Sequence, residues 1–183
     1  KTHEILSEFD NDTKIMRSKT VWSYNTDGSI DARIENKFVQ NIEKPNKKLD
    51  YVYDNEGLMT DIYESIYGDS VLRYRTHYIY KDNKLEKTIL SVEQTENSNV
   101  FEDEIITQYF YLRGSNKLWS QRTRIFSKIW GWENKQMLQY SYDNDKITEE
   151  IYFDWKSNAW AEQMRYVISF DNKIGRASCR ERV

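Results

Sequence analysis

Tyr51-Val52-Tyr53-Asp54-Asn55-Glu56-Gly57-Leu58 reads as the end of one β-strand, a tight turn and the opening of the next strand. Tyr51 and Tyr53 are two residues apart, so they share one face of an extended chain. Asp54-Asn55-Glu56-Gly57 suits a type I turn closed by a glycine in the left-handed region, the three-residue hairpin with a bulge. Leu58 then starts the return strand.

Variants of this stretch recur through the chain. The aromatic before the turn returns as Tyr24, Tyr53, Tyr80, Tyr111, Tyr142 and Phe170, at intervals of 29, 27, 31, 31 and 28 residues. A near-constant period of this size marks a repeat architecture. Two residues before each anchor stand Trp22, Tyr51, Tyr78, Tyr109, Tyr140 and Ile168, and four before stand Thr20, Leu49, Thr76, Thr107, Leu138 and Tyr166. Most of these are good strand formers, and their spacing stacks them on one face. Turn chemistry follows the anchors. Asn25-Thr26-Asp27-Gly28 matches the bulged three-residue scheme. Asp82-Asn83 and Asn144-Asp145 suit two-residue primed turns, because Asn and Asp tolerate positive φ. Ile30, Leu58, Leu85, Leu118 and Ile147 open the return strands.

The 183 residues are long enough for one domain with a real core. Aromatic content of 15% beside a hydrophobic content of only 38% excludes an ordinary disordered tail and points to thin β-structure with amphipathic tyrosines between strands. The last ten residues, IGRASCRERV, are similar throughout to a translated sequencing adapter. Residues 174–183 are therefore read as a non-native tail and set aside from the fold. Without its three arginines and one glutamate, Lys+Arg falls from 27 to 24 and Asp+Glu from 30 to 29, so the net charge moves from −3 to −5. The sole cysteine, Cys179, belongs to that tail, which removes a disulfide scaffold from consideration without identifying a compartment. The chain starts at Lys1 without a methionine and is read as truncated at both ends. No apolar run reaches membrane-helix length.

Residues 1–173 are thus expected to form a single β-hairpin repeat domain. The fold expected is all-β: an antiparallel meander of about six hairpins with a period of about 30, making an elongated, twisted sheet. A two-sheet sandwich and a wrapped β-shell are the alternatives. Strands are expected at 16–24, 30–40, 49–53, 58–67, 71–80, 85–93, 104–111, 118–129, 136–142, 147–155 and 160–170. Glu43–Lys48, with the only proline, Pro45, and Thr95–Asn99 are expected as loops. Trp130 to Asn134 and Trp155 to Trp160 are expected as tryptophan-flanked turns. Phe9-Asp10-Asn11-Asp12 echoes the turn motif in a shorter first unit. The return strands alternate poorly: Leu118 to Ile129 carries apolar residues at both parities, so the pattern does not select a buried face.

The Y-x-Y-D-x-x-G-x-L pattern resembles the YD-type, RHS-like β-hairpin repeats of bacterial secreted and cell-surface proteins. YVYDNEGL carries it best, YSYDNDKI and YIYKDNKL carry it well, and YFYLRGSNKL and WSYNTDGSI are degraded forms. The period is longer than in typical RHS repeats and tryptophans mark the far turns, so a related-looking secreted repeat family is favoured over RHS proper. The resemblance implies an extracellular scaffold or adhesion-like segment, and it brings no catalytic residues.

Candidate chemistry is sparse. Only His3 and His77 are available for a nucleophilic triad, and His77 reads as a surface histidine on the strand face opposite the tyrosines. A zinc site lacks soft ligands. Asp10-Asn11-Asp12, Asp54-Asn55-Glu56 and Asp143-Asn144-Asp145 sit where turns are already required and lack the longer loop and distal glutamate of an EF-hand. Glu102-Asp103-Glu104 and Glu149-Glu150 read as solvated strand ends and faces. No catalytic, cofactor-binding or metal residue is assigned and no cofactor is expected. Trp130, Trp132, Trp155 and Trp160 are the candidate glycan-binding residues, since flat indoles stack on sugar rings. The competing reading is that each pair packs across its own turn. Negative charge without a basic stripe argues against nucleic acid. The function read here is a non-catalytic extracellular or bacterial cell-surface repeat segment, a scaffold or interaction surface with a protein or glycan partner. A carbohydrate-binding module is the alternative, and a glycan-active enzyme stands third.

Overall fold

The computed structural model describes the backbone of residues 3–9, 16–39, 42–68, 71–95, 98–170 and 177–182, and the side chains of 18–39, 42–68, 71–95 and 98–168. The described backbone is all-β, with no helix: β1 His3–Phe9, β2 Met16–Tyr24, β3 Ile30–Val39, β4 Ile42–Tyr53, β5 Met59–Tyr67, β6 Val71–Lys81, β7 Lys84–Glu93, β8 Phe101–Tyr111, β9 Leu118–Ser127, β10 Gly131–Asp143, β11 Lys146–Lys156, β12 Ala159–Phe170 and β13 Ala177–Arg182. They pair in chain order as one antiparallel meander sheet. The sandwich alternative is thereby replaced by the meander. The turn at Asp10-Asn11-Asp12 and the side chains of the tail, Cys179 included, lie outside the described residues.

The turns follow the local code. Asp54 N–H donates to the Leu58 carbonyl at 2.9 Å and Gly57 N–H to the Asp54 carbonyl at 3.2 Å. Gly57 has φ +81°, which is the bulged three-residue loop. Asn25 to Ser29 repeats the pair of bonds at 2.8 and 3.1 Å. Asp82 and Asn83 both have positive φ, 51° and 56°, as a primed two-residue turn requires. At Asn144-Asp145 only Asn144 does, with φ 52°.

Bulges recur with the repeat. Asn46, Lys135 and Gln163 are each skipped in the pairing, and each stands seven residues before an anchor: Tyr53, Tyr142 and Phe170. After the turns, Asp31, Thr60, Trp119 and Thr148 are skipped in the same way. One extra residue reverses which parity faces which side. This explains the poor alternation of the return strands. Leu118 pairs with Tyr111, and past the bulge Gln121 and Thr123 pair with Tyr109 and Thr107 on that same face.

One expected loop, and most of one expected turn, are strand. Glu43–Lys48 belongs to β4 and pairs with β3, with Pro45 opposite Asn36. The proline is tolerated because it adjoins the Asn46 bulge and because pairing with β5 begins only at Lys47. β10 begins at Gly131 rather than 136, the Lys135 bulge having broken the alternation that would have revealed it.

Chain packing separates two compact units. One holds the strands up to Tyr78 with Ile89–Asp103, and the other holds Ile79–Thr88 and everything from Glu104 onward. In the first, Tyr51, Ile62 and Thr76 share one face, while Asp61, Tyr63, Arg75 and His77 share the other. In the second, Tyr109, Gln121, Leu138, Tyr140, Tyr152 and Tyr166 lie on one face. Ser120, Arg124, Trp132, Met137, Phe153, Trp155 and Trp160 lie on the other. Among the described residues only Ala32, Met137 and Leu138 are apolar and less than a tenth exposed. Met137 and Leu138 are consecutive in β10 and point to opposite faces. In the second unit Ser120 and Met137 on the tryptophan face, and Leu138 on the tyrosine face, are each less than a tenth exposed, so both faces carry covered residues.

Candidate functional site

The tyrosine ladder is held by hydroxyl and ammonium contacts between successive repeats. In the second unit the Tyr111 hydroxyl donates to the Leu85 carbonyl at 3.0 Å, and the Tyr142 hydroxyl to the Leu118 carbonyl at 2.7 Å. Leu85 and Leu118 open the return strands of the preceding repeats. The lysine just before each completes the contact. Lys84 Nζ lies 5.6 Å from the Tyr111 ring centre and donates to the Ser115 carbonyl at 2.6 Å. Lys117 Nζ lies 5.6 Å from the Tyr142 ring, donates to the Asn144 carbonyl and pairs with Asp145 at 3.0 Å. In the first unit the backbone of Ile30 hydrogen-bonds the Tyr53 hydroxyl. Burial pushes the Tyr53, Tyr111 and Tyr142 phenols up from their ordinary value. It pushes Tyr140 up to about 12, with the Glu150 charge adding to it.

The four tryptophans part company. Trp155 and Trp160 pair across their turn, edge to face, with centroids 4.9 Å apart. Trp132 pairs instead with Phe126 at 5.4 Å, and the Arg124 guanidinium lies 6.0 Å from its ring centre. Trp130 is 75% exposed in the turn and packs on neither. Packing across the turn therefore holds for one pair, while β10 takes its clip from β9. Trp132 and Trp155, from consecutive hairpins, line one open groove of about 550 Å³ with Ile125, Glu133, Asn134, Lys135, Ser157 and Asn158.

A groove of about 480 Å³ in the first unit is lined by Asp50, Tyr63, Arg73, Arg75, Asn99 and Phe101. Its charged groups are already engaged. Arg75 meets Asp61 at 2.7 Å, Arg73 meets Glu93 at 3.2 Å, and Lys48 meets Asp50 at 2.9 Å. Burial pulls the Arg75 guanidinium down, but the Asp61 hydrogen bond and charge outweigh it and the net shift is upward. His77 lies on the face opposite the tyrosines, with Nδ1 2.9 Å from Asp61.

The acidic candidates have structural partners. Asp54 Oδ1 accepts the N–H groups of Glu56 and Leu58, both at 2.9 Å, inside the turn. Asp103 accepts the Ser91 hydroxyl at 2.8 Å. Glu149 and Glu150 fall on opposite faces: Glu149 pairs with Arg165 at 2.8 Å, and Glu150 accepts the Tyr152 hydroxyl at 3.4 Å. Among the described residues no group of three or more His, Cys, Asp or Glu stands together as a metal site. Sequence reading passed over the lysine before each return strand, although Asn83-Lys84-Leu85 and Asn116-Lys117-Leu118 repeat in plain view.

No family model and no curated protein matches the chain. Among solved structures, a chain of the TcdB2-TccC3-Cdc42 crystal structure is similar at 14% identity and TM-score 0.41, over 96% of this chain and 10% of that one. A protein of unknown function from Bacteroides fragilis aligns at 11% identity and TM-score 0.28, covering 90% of this chain and 91% of that one. A chain of the TcdB2-TccC3-TEV structure aligns at 10% identity and TM-score 0.25, covering 91% and 14%. The chain thus spans about a tenth of the first of these.

Proposed function

We propose that this chain is a non-catalytic β-hairpin repeat segment of an extracellular or bacterial cell-surface protein, serving as scaffold and interaction surface. The observation that carries the reading is the contact between repeats. Tyr111, Tyr142, Lys84 and Lys117 direct their polar ends to backbone carbonyls of the adjoining repeat, rather than converging on a common point. Each repeat is thereby specified mainly by its neighbours, as in a solenoid. The extracellular placement rests on the resemblance of YVYDNEGL and its variants to secreted YD-type repeats.

Deleting residues 112–142 tests this, because it removes one period and joins Tyr111 directly to the Asp143-Asn144-Asp145 turn. A scaffold of interchangeable units is expected to stay soluble, with the β-sheet circular dichroism of the parent. Loss of that signal would contradict the reading. So would turnover, above a heat-denatured control, of chromogenic glycoside, ester, phosphate or peptide substrates by the intact chain.

A further inference from the structure

We propose that the groove between the β9–β10 turn and the β11–β12 turn binds a neutral polysaccharide chain, with Trp132 and Trp155 stacking on its sugar rings. The indoles are presented from consecutive hairpins on one sheet face. Each is held by an edge-to-face contact with an aromatic neighbour, Trp132 with Phe126 and Trp155 with Trp160. Bracing of this kind holds an aromatic platform before a ligand arrives, which lowers the entropy cost of binding.

The polar lining is distinctive. Glu133, Asn134, Lys135, Ser157 and Asn158 line the groove, and among the described residues none of these side chains has a hydrogen bond or ion pair within the chain. In the groove of the first unit each charged side chain already has a partner outside the lining: Asp50 has Lys48, Arg73 has Glu93 and Arg75 has Asp61. Two amides, a hydroxyl and one charge of each sign offer both donors and acceptors. That suits sugar hydroxyls, which both give and accept hydrogen bonds. Within the lining the Glu133 carboxylate and the Lys135 ammonium offset one another, and the nearby Arg124 guanidinium is engaged with the Trp132 ring, so no free excess of one charge lines the groove. Ser157 and Asn158 have φ of 50° and 61°, a two-residue left-handed turn that sets the backbone from which the Asn158 side chain leaves. The groove falls in the usual size range for ligand sites, about 300–1,000 Å³. It is open rather than enclosed, which fits a chain passing through rather than a single sugar held inside.

Affinity electrophoresis of the full chain through gels containing hydroxyethylcellulose, xylan, galactomannan or polygalacturonate tests the proposal. Retardation is expected in at least one neutral gel. Trp132→Ala and Trp155→Ala should each weaken it at least about tenfold, while Trp130→Ala leaves it unchanged. Since Trp155→Ala also removes a packing contact, Asn134→Ala/Asn158→Gly is the second variant. It takes away both amides but keeps a residue that accepts positive φ at 158. It should reduce retardation with an unchanged melting temperature. Free mobility in all three neutral gels overturns the proposal. So does retardation by polygalacturonate alone, or retardation that survives both Trp132→Ala and Trp155→Ala.

Discussion

Tyr142→Phe isolates one contact between repeats. The hydroxyl donates to the Leu118 carbonyl at 2.7 Å, and the ring lies under Lys117 Nζ at 5.6 Å. Phenylalanine removes the hydrogen bond and keeps the ring. A neutral hydrogen bond of this kind contributes about 1 kcal/mol net. With a urea slope of about 2 kcal/mol per molar, that moves the unfolding midpoint down by about 0.5 M. Tyr142→Leu removes the aromatic face as well and adds about 0.5–1 kcal/mol for the lost cation–π contact. Lys117→Met closes a double-mutant cycle with Tyr142→Leu, and the coupling should be about 0.5 kcal/mol or more because the two side chains touch. The assay is urea denaturation followed by tryptophan fluorescence, comparing midpoints at constant slope. A Tyr142→Phe midpoint within about 0.1 M of the parent, or a cycle with no coupling, would refute the view that these contacts join the repeats.

Gly57 has φ +81°, and a Cβ built there meets nothing within 4 Å. The cost of a side chain is therefore the backbone conformation alone: about 1–2 kcal/mol for Gly57→Val and much less for Gly57→Asn. Equal losses by denaturant titration would remove the turn assignment. Alkaline pH should destabilise the fold. Tyr140 is pushed up to about 12 by burial and by Glu150, against an ordinary 10.0. The unfolded chain gives up that proton first, so stability is intact below pH 10 and declines as pH rises towards 12. Melting temperatures across that window should fall, and Tyr140→Phe should flatten the fall; parallel curves for the two proteins would contradict it.

The hairpin period, the position of nearly every turn and the sharing of one face by the tyrosines were legible in the sequence. They depend on local requirements. A left-handed residue needs Gly, Asn or Asp, and spacing of two selects a strand face. The bulges were not legible. Asp31, Thr60, Trp119 and Thr148 occupy equivalent positions, yet an acid, an indole and two threonines fill them, because a bulge is set by the register between strands and not by the residue skipped. Once a bulge reverses the parity, alternation no longer reports the face, which hid the start of β10 and strand 42–48. The tryptophans were visible as flat apolar groups near turns. Only tertiary structure paired Trp132 with Phe126 rather than Trp130, and set it beside Trp155 with Asn134 and Asn158, whose amides have no partner among the described residues. Residues 132 and 155 lie on different hairpins, and what brings them to one groove is the stacking of repeats, a relation that no window of sequence contains.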